Sequence, residues 1–184
     1  MDFVPYVPLD HASAVGRWAG AINAEAGAAG VPPCALAAIV WRESGGKNIL
    51  QEGVPPGPGC GVGLTQITYD VDWSDPTQPA WVTPSGTRLE LLNPQSNLLC
   101  AAKFFLRPAQ DAVTAWRLSS ARAEAMERWS DQELYFIFAI YNAGEDPVAA
   151  ALDAGTDPNT ITTDEYASDT LAEYEMLVLQ SHMG

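Results

Sequence analysis

"AAIVWRESGG", Ala37 to Gly46, is the stretch on which the fold turns. Leu36, Ile39 and Val40 share one stripe at helical spacing, and Glu43 falls on that stripe one turn later. Gly45 and Gly46 then stop the helix, because glycine enters the left-handed conformation of a helix end at little cost. The pattern is a core helix whose last turn aims a carboxylate along its buried face. Glu43 either swings into solvent to pair with Arg42 or Lys47, or is held against apolar side chains. In the second case the charged form is disfavoured, and a carboxyl that ordinarily titrates near ~4.3 moves toward roughly 6, where it donates protons at neutral pH.

The totals bound the answer. A chain of 184 residues suits one domain, 1–184, that buries about two-thirds of its unfolded surface. An apolar fraction of 47% argues for an ordinary globular core. No run of about 18 apolar residues is present, so no membrane insertion is expected. Formal net charge is −14, from 23 acids against 9 bases. Nucleic acid is therefore not expected as a partner, since phosphate contacts need clustered Lys and Arg. The opening "MDFVPYVPLD" has neither a basic n-region nor an apolar h-region, so no signal peptide is read and synthesis in a cytoplasm is expected.

Other chemistries lack parts. His11 and His182 lie near the two ends, which leaves no Ser-His-Asp, Cys-His or histidine-based metal arrangement. Cys34, Cys60 and Cys100 are too widely spaced for a zinc or thioredoxin-like site. Three buried thiols is the default, with a bridge from Cys60 to either partner as the alternative. No cofactor and no metal are expected, and acid–base work falls to carboxylates.

Helices dominate the expected organisation. A first helix spans about 10–28, with Ala14, Val15, Trp18 and Ile22 on one face, and Val31-Pro32-Pro33 opens the helix that carries Glu43. Gly45 to Gly63 is a Gly/Pro-rich loop whose spacing does not match a dinucleotide-binding GxGxxG. "AWVTPSGTRLE" reads as a hairpin turning at Pro84-Ser85-Gly86. Asn93-Pro94 starts another helix, and a polar-faced one runs from 108 to about 128. Ser130–Glu133 and Thr162–Glu165 fit capping boxes ahead of two further apolar helices, the last with Leu171, Tyr174, Leu177 and Val178 inward.

Four segments in order then carry a resemblance: "RESG" at Arg42, "GVGLTQIT" from Gly61 to Thr68, "NPQSNLLCAAKFFL" from Asn93 to Leu106, and "AIYNAG" from Ala139 to Gly144. Together they resemble the lytic transglycosylases related to goose-type lysozyme, over roughly 36–144. That family usually shows an E-S pair, a G-L-M-Q-I segment, an N-P-x-x-N-I helix and an A-Y-N-A-G segment. This chain departs from it with Thr65 in place of Met, with Ile140 in place of Ala, and in the hairpin region.

The resemblance implies a mainly α, lysozyme-like fold (α+β with a small β-hairpin) in a single domain. It implies Glu43 as the sole catalytic acid, cleaving the bond between N-acetylmuramic acid and N-acetylglucosamine in peptidoglycan glycan strands. The sugar's own C6 hydroxyl would attack, leaving a 1,6-anhydromuramic product. Ser44, Gly63, Thr65, Gln66, Tyr141 and Asn142 are the substrate-side candidates. Each has a plainer use: Ser44 and Asn142 as helix-end caps, Gln66 as a loop brace, Gly63 as a turn, Tyr141 as core. Tyr141 is also the expected holder of the Glu43 carboxyl. Trp73 and Trp81 are read as lobe packing ahead of sugar stacking. Glu52, Asp70 and Asp72 are the sequence-near candidates for a second carboxylate.

Two rivals stand beside the transglycosylase: a goose-type muramidase using the same acid with water, and a non-catalytic glycan-binding or assembly protein. Without a signal peptide, the expected origin is a phage lysis or virion-borne enzyme that acts at the bacterial cell wall after holin release or virion delivery, as a monomer.

Overall fold

The structure, a computed structural model, describes residues 3–10, 13–119 and 129–183. At its centre is α2 (Pro33–Ser44). Proline opens this helix, where a missing N–H costs nothing, and Gly45 closes it at φ +57°. Residues 33–40 are all buried, so α2 is a core helix on every side until its last turn.

α1 (Ala19–Ala29) precedes it and packs across it, ending at Gly30 in the left-handed region. The helix starts later than its apolar face suggests. Ser13 donates its hydroxyl to the Asp10 carbonyl and accepts the Gly16 N–H, which makes a local turn, and a single 3₁₀ turn at Gly16–Trp18 then leads into α1.

After α2 the chain runs through a long loop to a three-stranded antiparallel sheet in the order β1 (Val71–Asp72), β2 (Ala80–Val82), β3 (Arg88–Glu90). The expected hairpin is β2–β3, with Trp81 opposite Leu89 and Gly86 at φ +84° in the turn. The short β1 adds a third strand. Under this sheet lies a small apolar cluster of Val62, Ile67, Trp81, Leu91 and Cys100, with Trp73 packed against it. Trp73 and Trp81 are thus packing residues.

α3 (Pro94–Ala101) is capped by Asn93, whose carboxamide oxygen accepts the Ser96 N–H. One wide π-type turn at Ala102–Leu106 joins it to α4 (Arg107–Ser119). The remainder of the helix expected to about 128 lies outside the described residues.

α5 (Asp131–Ala143) begins at the expected cap, with Ser130 accepting the Glu133 N–H. Glu133 differs from a reciprocal capping box: fully buried, it accepts the Trp129 N–H, with Gln110 and Thr114 on its other oxygen. α6 (Glu145–Asp153), which no sequence signal had marked, follows directly after Gly144.

The last helix, α7 (Tyr166–Met183), starts later than the Thr162–Glu165 box implies. Asp164 and Glu165 both sit at positive φ, +47° and +53°, and Thr162 donates its hydroxyl backward to Asn159. The cap comes instead from Asn159, whose side-chain oxygen accepts the N–H groups of Ala167 and Ser168. α7 packs on α2 and α5, burying Leu177 and seating Leu171, Tyr174 and Val178 against the main core. The molecule is mainly helical, and among the described residues no helix is long and apolar enough to cross a membrane.

Candidate active site

Glu43 occupies the last turn of α2, where the helix leaves the core, so its carboxyl is half-buried. Tyr166, the first residue of α7, donates its hydroxyl to Glu43 Oε1 at 2.5 Å. The two basic residues nearest the acid in sequence are engaged elsewhere. Arg42 pairs with Asp169 at 3.2 Å, and Lys47 pairs with Glu52 at 3.2 Å.

Burial lifts the Glu43 pKa from 4.5 to about 7, overcoming the opposing pulls of the Tyr166 hydrogen bond and the Arg42 charge. The carboxyl is therefore divided between protonated and ionised forms near neutral pH, as a group that must give and retrieve a proton requires.

Glu43 opens onto a groove of about 250 Å³, shared with Ser44, Lys47, Gln51, Glu52 and Gln66. A larger depression of about 510 Å³ is lined by Tyr6, Arg17, Gly20 and Asn23, among others. Among the described residues no carboxylate lines it, and Asn23 is occupied by both backbone groups of Tyr6. The candidate site is therefore chosen by its acid and not by volume.

The second segment folds into a tight brace opposite α2. Gly63 is at φ +77°, and a Cβ there would lie 2.3 Å from Asn97 Nδ2 and 2.5 Å from the Leu91 carbonyl, so no larger residue fits without displacement. Gln66, also left-handed at φ +47°, donates from Nε2 to the Gly63 and Ile49 carbonyls and still lines the groove. Its bracing and groove-lining uses coincide. Ser44 does likewise: its hydroxyl donates to the Leu64 carbonyl at 2.7 Å and accepts the Gly46 N–H, tying the α2 terminus to the brace.

Thr65 corrects the expectation of a substrate-side contact. Its side chain is fully buried and its hydroxyl donates to Asn97 Oδ1 at 2.8 Å, the same atom that accepts its N–H. Asn97 in turn donates to the Val62 carbonyl, so this carboxamide organises the whole turn.

The expectation that the Tyr141 hydroxyl holds the Glu43 carboxyl is also corrected. Tyr141 donates its hydroxyl to the Thr65 carbonyl at 2.9 Å, and its ring packs on Phe105. Glu43 raises the Tyr141 pKa, after burial, which places the two groups within electrostatic range, but the hydrogen bond to the acid comes from Tyr166. Asn142 faces the turn before α7, where its side-chain oxygen accepts the Thr163 N–H at 2.9 Å. It is a brace between α5 and α7 rather than a cap of its own helix.

Tyr166 is the residue that sequence reading missed. It stands on the inward stripe with Tyr174 and Leu177, a signal that by itself reads as core.

Of the sequence-near carboxylates, Glu52 also lines the groove, exposed and paired with Lys47. Asp72 is turned onto Ser74 and Arg88, and Asp70 is exposed at φ +52°. No protein-family model matches this chain, and no curated protein matches it. Cys34, Cys60 and Cys100 are all buried free thiols.

Proposed function

We propose that this protein is a lysozyme-like enzyme that cleaves peptidoglycan glycan strands as a lytic transglycosylase, with Glu43 as the acid and then the base. The single observation that carries the proposal is the Glu43 carboxyl: half-buried, in no ion pair among the described residues, held by Tyr166 and open to a groove. In the proposed reaction the protonated carboxyl gives its proton to the oxygen linking C1 of N-acetylmuramic acid to N-acetylglucosamine, and the C1–O bond breaks. The carboxylate left behind, stabilised by the Tyr166 O–H, then takes the proton of the muramic C6 hydroxyl as O6 bonds to C1. Proton transfer of this kind is worth about 10²–10⁴ in rate. Gln66 and Ser44 would meet the sugar's polar substituents from the groove wall.

Glu52 favours a second reading. It is a carboxylate in the same groove, and a muramidase would use such a group to activate water. Its ion pair with Lys47 and its exposure argue for the first reading. Digesting purified cell wall and analysing the products by mass spectrometry separates the two. Anhydromuramic ends support transglycosylation, new reducing ends support hydrolysis, and no soluble product refutes both.

A further inference from the structure

Arg42 stands next to the acid yet spends its guanidinium on another element. Its Nη2 donates to the Asp164 carbonyl at 2.8 Å, its Nη1 meets the Asp169 carboxylate at 3.2 Å, and its carbon lies 5.5 Å from the centroid of the Tyr166 ring. All three contacts are to the start of α7 and the turn before it. Two successive non-glycine residues in that turn, Asp164 and Glu165, hold left-handed backbone. Such a conformation persists only where surrounding contacts enforce it. Asn142 holds one side of the turn through Thr163, and Arg42 holds the other. Directly after this turn comes Tyr166, whose hydroxyl rests on Glu43.

We propose that Arg42 is a positioning residue: its two-armed guanidinium latches the left-handed turn and the Tyr166 ring so that the Tyr166 hydroxyl stays on the Glu43 carboxyl. The inference takes its catalytic meaning from Glu43 as the acid, although the latch itself is a property of the free protein. A lone positive charge on this side chain would not serve. Lysine offers no planar fork that can reach a carbonyl and a carboxylate at once while stacking on a ring. The charged and titratable groups around Glu43 are Arg42 on its own helix, Tyr166 from α7, Tyr141 from α5, and Lys47 and Glu52 along the groove.

The test is a double-mutant cycle read without substrate, by following the Glu43 carboxyl carbon through a pH titration by NMR in ¹³C-labelled protein. Tyr166→Phe in the wild-type background raises the Glu43 midpoint, because a hydrogen bond to the ionised form is lost. In the Arg42→Met background the midpoint is already raised, and adding Tyr166→Phe moves it further by less than half as much. Arg42→Lys returns the charge but not the coupling. Asp169→Asn frees one arm only, so adding Tyr166→Phe to it moves the midpoint by less than in the wild type but by more than in Arg42→Met, which protects the test should Arg42→Met fail to fold. Additive shifts of Arg42→Met and Tyr166→Phe, or full coupling in Arg42→Lys, overturn the latch. Because no glycan enters the measurement, failure of the wall-cleaving proposal leaves this result interpretable.

Discussion

The Tyr166 hydroxyl and the Glu43 carboxyl meet at 2.5 Å, joining the first residue of one core helix to the last turn of another. The bond favours the ionised carboxyl, while burial favours the protonated one, and burial prevails. Replacing Tyr166 with Phe removes the opposing pull while leaving the ring in place. Wall cleavage should fall about ten- to a hundredfold, the magnitude of one hydrogen bond to a charged group. The high-pH limb of the activity profile should also move upward, which initial rates across a pH series would show.

Activity in the wild type should decline as pH rises through about 7, because the acid form of Glu43 is lost there. The same shift has a consequence for stability. The folded pKa lies above the unfolded value, so the folded chain keeps a proton that the unfolded chain releases between 4.5 and about 7. The cost to folding is absent below that window, grows through it, and is complete above it. Glu43→Gln carries no charge at any pH. It should abolish cleavage yet raise stability at alkaline pH by on the order of 3 kcal/mol, with little gain at acidic pH. Denaturant unfolding at both ends of the window measures the difference.

Gly63→Ala should disrupt the brace opposite the acid. The added methyl would collide with Asn97 and the Leu91 carbonyl, at a backbone angle that side chains rarely adopt. A loss of about 2–4 kcal/mol is expected by chemical denaturation. Gln66, which donates to the Gly63 carbonyl, should be displaced with it, so activity in the surviving folded fraction also falls.

All three thiols should be silent toward a thiol reagent in the folded protein and should react together on unfolding. Each is buried and unbridged, and burial pushes Cys100 up to about 12. A count of reactive thiols before and after denaturant checks this.

The sequence carried the helices with strong apolar stripes and clear glycine stops, so α2 and α5 appear where their patterns put them. It misled where a side chain outbid a local motif. Thr162–Glu165 has the letters of a capping box, but Asn159 reaches the first N–H groups of α7 and displaces it. Helix α6 went unread because it is short, follows Gly144 with no cap residue between, and carries Pro147 in its first turn. Glu43 and Ser44 from one segment and Gln66 from another, singled out in the sequence, line the same groove. That Tyr166 and not Tyr141 holds the acid was not legible, because both rings lie on apolar helix faces and only the fold decides which hydroxyl reaches the acid. Thr65 turned inward for a similar reason: Asn97, distant in sequence, supplies a buried acceptor that its hydroxyl prefers to an open groove.

Everything about the proposed chemistry depends on Glu43 holding its proton near neutral pH. The most direct measurement is the titration of its carboxyl carbon by NMR in the folded wild-type protein, assigned by comparison with Glu43→Gln. A midpoint near 7 is predicted. A midpoint at the ordinary value of 4.5 would contradict the account, since such a group is already ionised when the bond to be broken needs a proton.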